Sequence, residues 1–245
     1  MTSSWTVAPL VLLAAMTGNT PVDNAIAQAQ RRPAPEAQLV LLRVEPVAER
    51  ENAAVLARLS RAWADTVDGS PDQAAAKKAA QHALSLAEQA VKADPKNAQA
   101  HLALAIACGK WTDFVDSKTK VALSRQIRSE AERAIALDPT LDLAYHVLGR
   151  WHLELARVNP FVRFGARLTV GTLPAASLQE AVRNLEKAVE LSPKSILHHH
   201  YLALAYQAQG KPSEAANQWR AVLELPATDP EDKEAKRQAR AALGR

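Results

Sequence analysis

Three consecutive histidines, His198-His199-His200, are the side chains of this sequence best suited to proton transfer or metal binding near neutral pH. On a helix, however, neighbouring residues lie about 100° apart, so the three rings fan over roughly 200° and cannot converge on one ion. His146 and His152 also miss the i, i+4 spacing, and a site built between His146 and His200 has no Cys and no clear carboxylate to complete it. No metal and no cofactor are therefore expected. The single cysteine, Cys108, has no second thiol for a disulfide or a zinc site and reads as a small buried hydrophobe. Gly-x-Ser-x-Gly, a glycine-rich phosphate loop and His-Glu-x-x-His are all missing from a chain with only 8 Gly. No catalytic residue is assigned, and the chain is not read as an enzyme.

A second group of interest is the segment Arg157-Val158-Asn159-Pro160-Phe161-Val162-Arg163-Phe164-Gly165-Ala166-Arg167-Leu168. On a helix begun at Pro160, Phe161, Phe164 and Leu168 share one face and Arg163 and Arg167 flank it. Such a helix can fold over a groove as a lid, touch an anionic membrane surface, or simply seal the gap between neighbouring elements. The small apolar area favours the lid over the membrane.

The elements that must position these residues are helices. An apolar fraction of 48%, 4% aromatics and abundant Ala and Leu favour helices packed through small residues over sheets. Three helix-opening segments read Tyr145-x2-Leu148-Gly149-x2-His152, His199-x2-Leu202-Ala203-x2-Tyr206 and His101-x2-Leu104-Ala105-x2-Cys108, each preceded at the same offset by Pro139, Pro193 or Pro95. A second register of small residues recurs at Ala83, Ala87 and Ala90, at Ile127, Ala131 and Ala134, at Ala181, Leu185 and Ala188, and at Ala215, Trp219 and Val222. Together these are the signature of tetratricopeptide (TPR) repeats, so the expected fold is all-α: a right-handed solenoid of antiparallel helix pairs. The prolines are spaced by 44, 54 and about 33 residues, against a norm of about 34. Two repeats therefore carry insertions, at about residues 110–121 and 158–177. The charged stretch 229–243 reads as a terminal capping helix, and a further helix is expected over residues 49–67 through Val55, Leu56, Leu59 and Trp63.

The segment Ala144-Tyr145-His146-Val147-Leu148-Gly149-Arg150-Trp151, the insertion ending Gly171-Thr172-Leu173-Pro174-Ala175-Ala176-Ser177, and Glu180-Ala181-Val182 after it resemble the TPR domain of the regulator of microtubule dynamics family. The resemblance covers about residues 80–243. It implies a helical-repeat adaptor, with relatives placed at organelle membranes and some linked to microtubules or lipid.

The N-terminal residues 1–27 read as a cleavable signal peptide. Residues 7–16 form an apolar run too short to span a bilayer, followed by Gly18-Asn19-Thr20-Pro21 and small residues up to Ala27 and Ala29. The n-region is weak, with no Lys or Arg before the run. Residues 28–47, with Pro33, Pro35 and Pro46, read as a linker with a short ordered piece around residues 39–44, and the repeat domain is expected over 48–245. The export signal stands where the family's relatives carry a membrane anchor, so the expected location is secreted or periplasmic, with no transmembrane segment in the mature chain. No microtubule role is carried over.

In a TPR array the first helix of each pair lines the concave face. Periodicity nominates Leu102 and Ile106; His146, Arg150 and Leu153; and His200, Leu204 and Gln207 as groove residues, with Leu143 and Leu197 at the rim. The mixture suits an extended or amphipathic ligand with an anionic end. The reading favoured is a scaffold that binds a protein or peptide segment in this groove, and the alternative is a carrier of an amphipathic lipid roofed by Phe161 and Phe164. A formal charge of +4, with basic residues scattered among 26 acids, gives no footprint for nucleic acid.

Overall fold

Capping side chains set where many of the helices begin. In the computed structural model, Asn52, Asp72, Asp116, Asn159, Ser177 and Ser195 each accept hydrogen bonds from N–H groups in the turn that follows, satisfying donors that have no partner inside the helix. The structure describes residues 21–44, 52–70, 72–228 and 230–244. These form twelve α-helices and one short 3₁₀ turn, with no strand among the described residues. The all-α class expected from the repeat registers is the class observed. The chain divides into two compact units, Met1–Trp111 and Thr112–Arg245.

The first unit contains α1 (Pro21–Ala29), α2 (Ala34–Val44), α3 (Ala53–Asp68), α4 (Gln73–Ala93) and α5 (Ala98–Trp111). α3 and α4 form a helix pair, and α5 packs on both. Val55, Leu56, Leu59 and Trp63 of α3 are buried, as are Ala83, Ala87 and Ala90 of α4. The two helices approach closely enough for Ser60 Oγ to donate to the Ala83 carbonyl at 2.8 Å. Cys108 is fully buried.

The unit's N-terminal part departs from the sequence reading. Residues 28–47, expected as a linker, contain the eleven-residue α2, whose Ala34, Ala37 and Leu41 recur at spacings of three and four and are buried. Its prolines do not oppose it, because Pro33 precedes the helix and Pro35 lies in the first turn, where no N–H donor is needed. The expected cleavage region after Ala27 or Ala29 is likewise helical. α1 buries Val22, Ala25 and Ala29, packs on α2 and α3, and is tied by Asp23 to Arg58 of α3 at 3.1 Å. The apolar run 7–16 lies outside the described residues.

The second unit holds a 3₁₀ turn (Thr112–Phe114), α6 (Ser117–Leu137), α7 (Asp142–Ala156), α8 (Pro160–Thr169), α9 (Leu178–Leu191), α10 (Ile196–Ala208), α11 (Pro212–Glu224) and α12 (Pro230–Ala242). α7 pairs with α9, α10 pairs with α11, and α12 covers α10 and α11. Gly149 is required at the α7–α9 crossing: a Cβ there would lie 2.7 Å from Leu185 Cγ and 3.1 Å from the Ala181 carbonyl oxygen, so no side chain fits. Trp151 pins α7 to α6, its Nε1 donating to the Ser124 carbonyl at 2.7 Å with Arg128 over its ring. At the C-terminal end Ile196, Ala203, Ala215, Trp219 and Val222 form one buried cluster with Ala235 and Ala239 of α12. That is the work expected of a capping helix.

The insertion at 158–177 is ordered by its own turn chemistry. Asn159 caps α8 through Phe161 N–H at 2.8 Å with Pro160 at its start. Gly171, at φ 108°, takes a backbone conformation disfavoured for residues with a Cβ and donates to the Ala166 carbonyl. The extended stretch after it is held by Arg125, which donates to the Thr172 carbonyl at 2.9 Å, and ends at Ser177, the cap of α9.

Candidate functional site: the histidine face of the second unit

The two consensus histidines at the aromatic position of the signature do the same thing in different units. His101 Nε2 lies 3.0 Å from the Pro95 carbonyl and His199 Nε2 lies 2.9 Å from the Pro193 carbonyl. The repeat's proline and the first turn of its helix are thereby joined. His199 Nδ1 also meets Gln218 of α11 at 2.7 Å. These histidines are packing residues.

The three consecutive imidazoles diverge, as their helical spacing demands, and all are buried. His198 points toward α7, where its Nδ1 lies 3.2 Å from His146 Nδ1 and its Nε2 lies 3.0 Å from Asp142 Oδ2. A carboxylate can only accept, so His198 carries its proton on Nε2. Its Nδ1 is then an acceptor, and His146 Nδ1–H donates to it. One directed chain thus runs from His146 through His198 to Asp142, at the start of α7. His200 turns the other way, edge-on to Trp219 at 5.3 Å between ring centroids, and its Nδ1 is buried without a hydrogen-bond partner.

Burial favours the neutral form of His146, His198 and His200. It pushes His146 well below the ordinary histidine range, with lesser contributions from the neighbouring His198, Arg150 and His200. His198 is lowered chiefly by burial, against an opposing pull from its bond to Asp142 and that residue's charge. His200 is lowered by burial, opposed by Glu234 and assisted by Arg150. His152, which accepts from the Ser177 N–H at 3.3 Å, is lowered by burial too.

Above this buried layer sits Arg150, exposed, with its guanidinium 5.1 Å from the centre of the Tyr201 ring. The Tyr201 ring in turn contacts His146 and His200 edge-on. The exposed cation therefore rests on an aromatic ring that two neutral imidazoles hold in place.

The nominated groove residues separate into three groups. In the second unit, Arg150 and Gln207 are exposed, and Leu143, Leu197 and Leu204 are half-buried. His146 and His200 are brought together around Tyr201 but as buried supports. Leu153 does not line a groove at all: it is fully buried against Leu185 and Leu202, since α9 and α10 cover the end of α7. In the first unit, Leu102 is also buried, because α3 and α4 both pack on α5, and Ile106 is half-buried. His198, Asp142 and Tyr201 fall outside the nominated set. The available signal is the position one before the consensus aromatic, which holds Ala100 and Ala144 in two repeats and is fully buried there. A histidine at so enclosed a position needs a polar partner.

The lid residues do not form a roof. Phe161 is 86% exposed and Phe164 64% exposed, and Leu168 is equally open at 70%. Arg163 instead reaches back to the body of the unit, donating to the carbonyls of Leu155 and Pro174, while Arg167 is exposed. Among the described residues no three His, Cys, Asp or Glu side chains gather as a metal site, and no helix is long and apolar enough to cross a membrane.

A family model for regulator of microtubule dynamics proteins 1-3 matches residues 22–245. Mouse regulator of microtubule dynamics protein 2 is 30% identical over 191 residues, covering 78% of this chain and 47% of its own length. The mouse protein 3 is 28% identical over 176 residues, covering 71% of this chain and 37% of its own. The chain spans about half the length of the first curated relatives it matches. Among solved structures, a thermophilic TPR protein from Thermus thermophilus superposes with a TM-score of 0.67 over 92% of this chain and 98% of its own, at 16% identity. That likeness shows the fold.

The secreted or periplasmic location expected from residues 1–27 is overturned. The relatives are named regulators of the dynamics of microtubules, which are polymers of the cell interior, and the family match runs from residue 22 through the expected cleavage region. With a TPR-like fold, the buried α7 and α10 registers and a family match over nearly its whole length, the chain belongs to the regulator of microtubule dynamics protein 1-3 family.

Proposed function

We propose that this chain is a non-enzymatic scaffold whose second unit binds a segment of a partner protein against the face formed by Arg150, Tyr201, Leu204 and Gln207. The observation that carries the reading is the exposed Arg150 guanidinium resting on Tyr201. An arginine held over an aromatic ring has already given up much of its freedom, so less is lost when it pairs with a carboxylate of an incoming chain. Arginine and tyrosine are also the types that dominate binding energy at protein interfaces. The neutral histidines beneath add rigidity and no charge, so Arg150 is the cation of this face and the favoured segment carries an acidic residue beside an apolar one. The TPR fold supports protein recognition in general, and the family is not one known for catalysis. The lipid-carrier alternative depended on a roof of Phe161 and Phe164, and with both rings exposed no observation favours it.

The test is selection of a displayed random-peptide library on the whole chain, followed by titration of the enriched peptides. Acidic peptides should be enriched, and Arg150→Glu should weaken them by about tenfold or more. Failure to enrich any peptide, or enriched peptides indifferent to Arg150→Glu, sinks the reading.

A further inference from the structure

α8 is the anomaly of the second unit. None of its ten residues is buried, yet Phe161, Val162, Phe164 and Leu168 are all exposed by more than half. On a helical projection Phe161, Phe164 and Leu168 fall within about 60° of arc, and Arg163 lies on the opposite side. The Arg163 guanidinium is fastened to the carbonyls of Leu155 and Pro174. The anchored arginine fixes which way the helix faces, and it faces the apolar stripe away from the unit. The turns at both ends, Asn159 and Gly171, hold it there.

The charge along this segment is one-sided. Residues 155–179 contain no Asp and no Glu, but carry Arg157, Arg163 and Arg167. With Arg163 committed to the protein, Arg157 and Arg167 remain exposed. A short helix with Phe and Leu on one face, arginine beside it and no acid is the composition that lies in the headgroup region of an anionic bilayer. A protein groove would be a poorer match, because ten residues with three aligned apolar side chains offer little of the shaped area that a stable protein interface needs. A bilayer demands no such shape.

We infer that α8 is a peripheral membrane-docking helix, inserting Phe161, Phe164 and Leu168 among the acyl chains of an anionic leaflet with Arg157 and Arg167 on its headgroups. This surface is distinct from the Arg150 face, and the inference does not depend on peptide binding there. The insertion that relieves α8 of a packing role is what lets apolar side chains stay outside.

Co-sedimentation of the full chain with phosphatidylcholine vesicles, with and without phosphatidylserine, tests this. The chain should partition onto the serine-containing vesicles, and salt should weaken the partition. Phe161→Ser with Phe164→Ser should lower the partition by at least about tenfold, with the circular-dichroism spectrum unchanged. Arg167→Glu, a second exposed change, should lower binding to the anionic vesicles and leave the residual binding to neutral ones unaltered. No partition onto either vesicle overturns the inference, as does equal partition by the parent and the double-Ser variant. So does loss, in that variant, of a self-association that the parent shows without vesicles, since the stripe would then be a protein interface.

Discussion

α10 carries three histidines and hides all of them, whereas α8 carries two phenylalanines and exposes both. Polarity alone would place them the other way round. The difference follows from position in the repeat: α10 is the first helix of a repeat pair, flanked by α9 and α11 and covered by α12, so seven of its thirteen residues are buried, all three histidines among them. Two of its histidines are partnered there, His198 by His146 and Asp142 and His199 by Gln218 and the Pro193 carbonyl, while His200 packs edge-on against Tyr201 and Trp219. α8 is an insertion outside the pairing scheme, and nothing in the unit has to cover it. In a repeat protein, place in the repeat governs burial, and residue type then determines what that burial costs.

The comparison breaks first if the crowding around α10 is not real. Trp219 of α11 is 2% exposed and packs against His200 and the α12 alanines. Trp219→Ala leaves a cavity that Ala215, Ala235 and Ala239 are too small to fill, and should cost about 3–5 kcal/mol in urea unfolding followed by circular dichroism. A loss below about 1 kcal/mol would mean that α10 is not enclosed as described.

The enclosed histidines also make a pH prediction. His146, His152, His198 and His200 have folded-state pKa values below the ordinary one, chiefly through burial. A base whose pKa falls on folding binds its proton more readily in the unfolded chain. Its contribution to stability is therefore complete above the unfolded pKa of about 6.5 and is lost as the pH falls from there toward the folded value, at up to about 1.4 kcal/mol per pH unit for each such group. Urea midpoints should fall between pH 7 and pH 5, and replacing His146 and His198 together by Leu should flatten part of that fall. A midpoint independent of pH over this range would show that the imidazoles are solvated.

The repeat registers are legible because small residues recur wherever two helices must nearly touch: Gly149 is dictated by Leu185 and Ala181, and Ala83 by the backbone contact with Ser60. The capping role of 229–243 is legible for the same reason, through its few well-spaced alanines. The candidate site is less so. Helical periodicity assigns a residue to a face of its own helix, but whether that face meets solvent depends on the neighbouring helices. Periodicity therefore puts Leu153 and Leu102 in a groove, while both lie in the core. The His146–His198–Asp142 chain joins positions on two helices more than fifty residues apart at its longest link, and no period within one helix encodes that. α2 escapes a reading by composition because its prolines, taken without their position, look like breakers.

The smallest effect expected is the most discriminating for the other half of the comparison. Phe161→Ser together with Phe164→Ser removes two of the three phenylalanine rings in the chain, a change that would unfold most domains if made in a core. On α8 the rings stand 86% and 64% exposed, so water already surrounds them in the folded state and little transfer free energy is lost with them. The orientation of α8 rests on Arg163, Asn159 and Gly171, and phenylalanine and serine have similar helix propensity. The pair should shift unfolding free energy by no more than about 0.5 kcal/mol, measured by urea titration beside Trp219→Ala under one set of conditions. A penalty approaching that of Trp219→Ala would mean that the α8 stripe packs against the protein in solution, and the contrast between a crowded repeat helix and a free insertion would be lost.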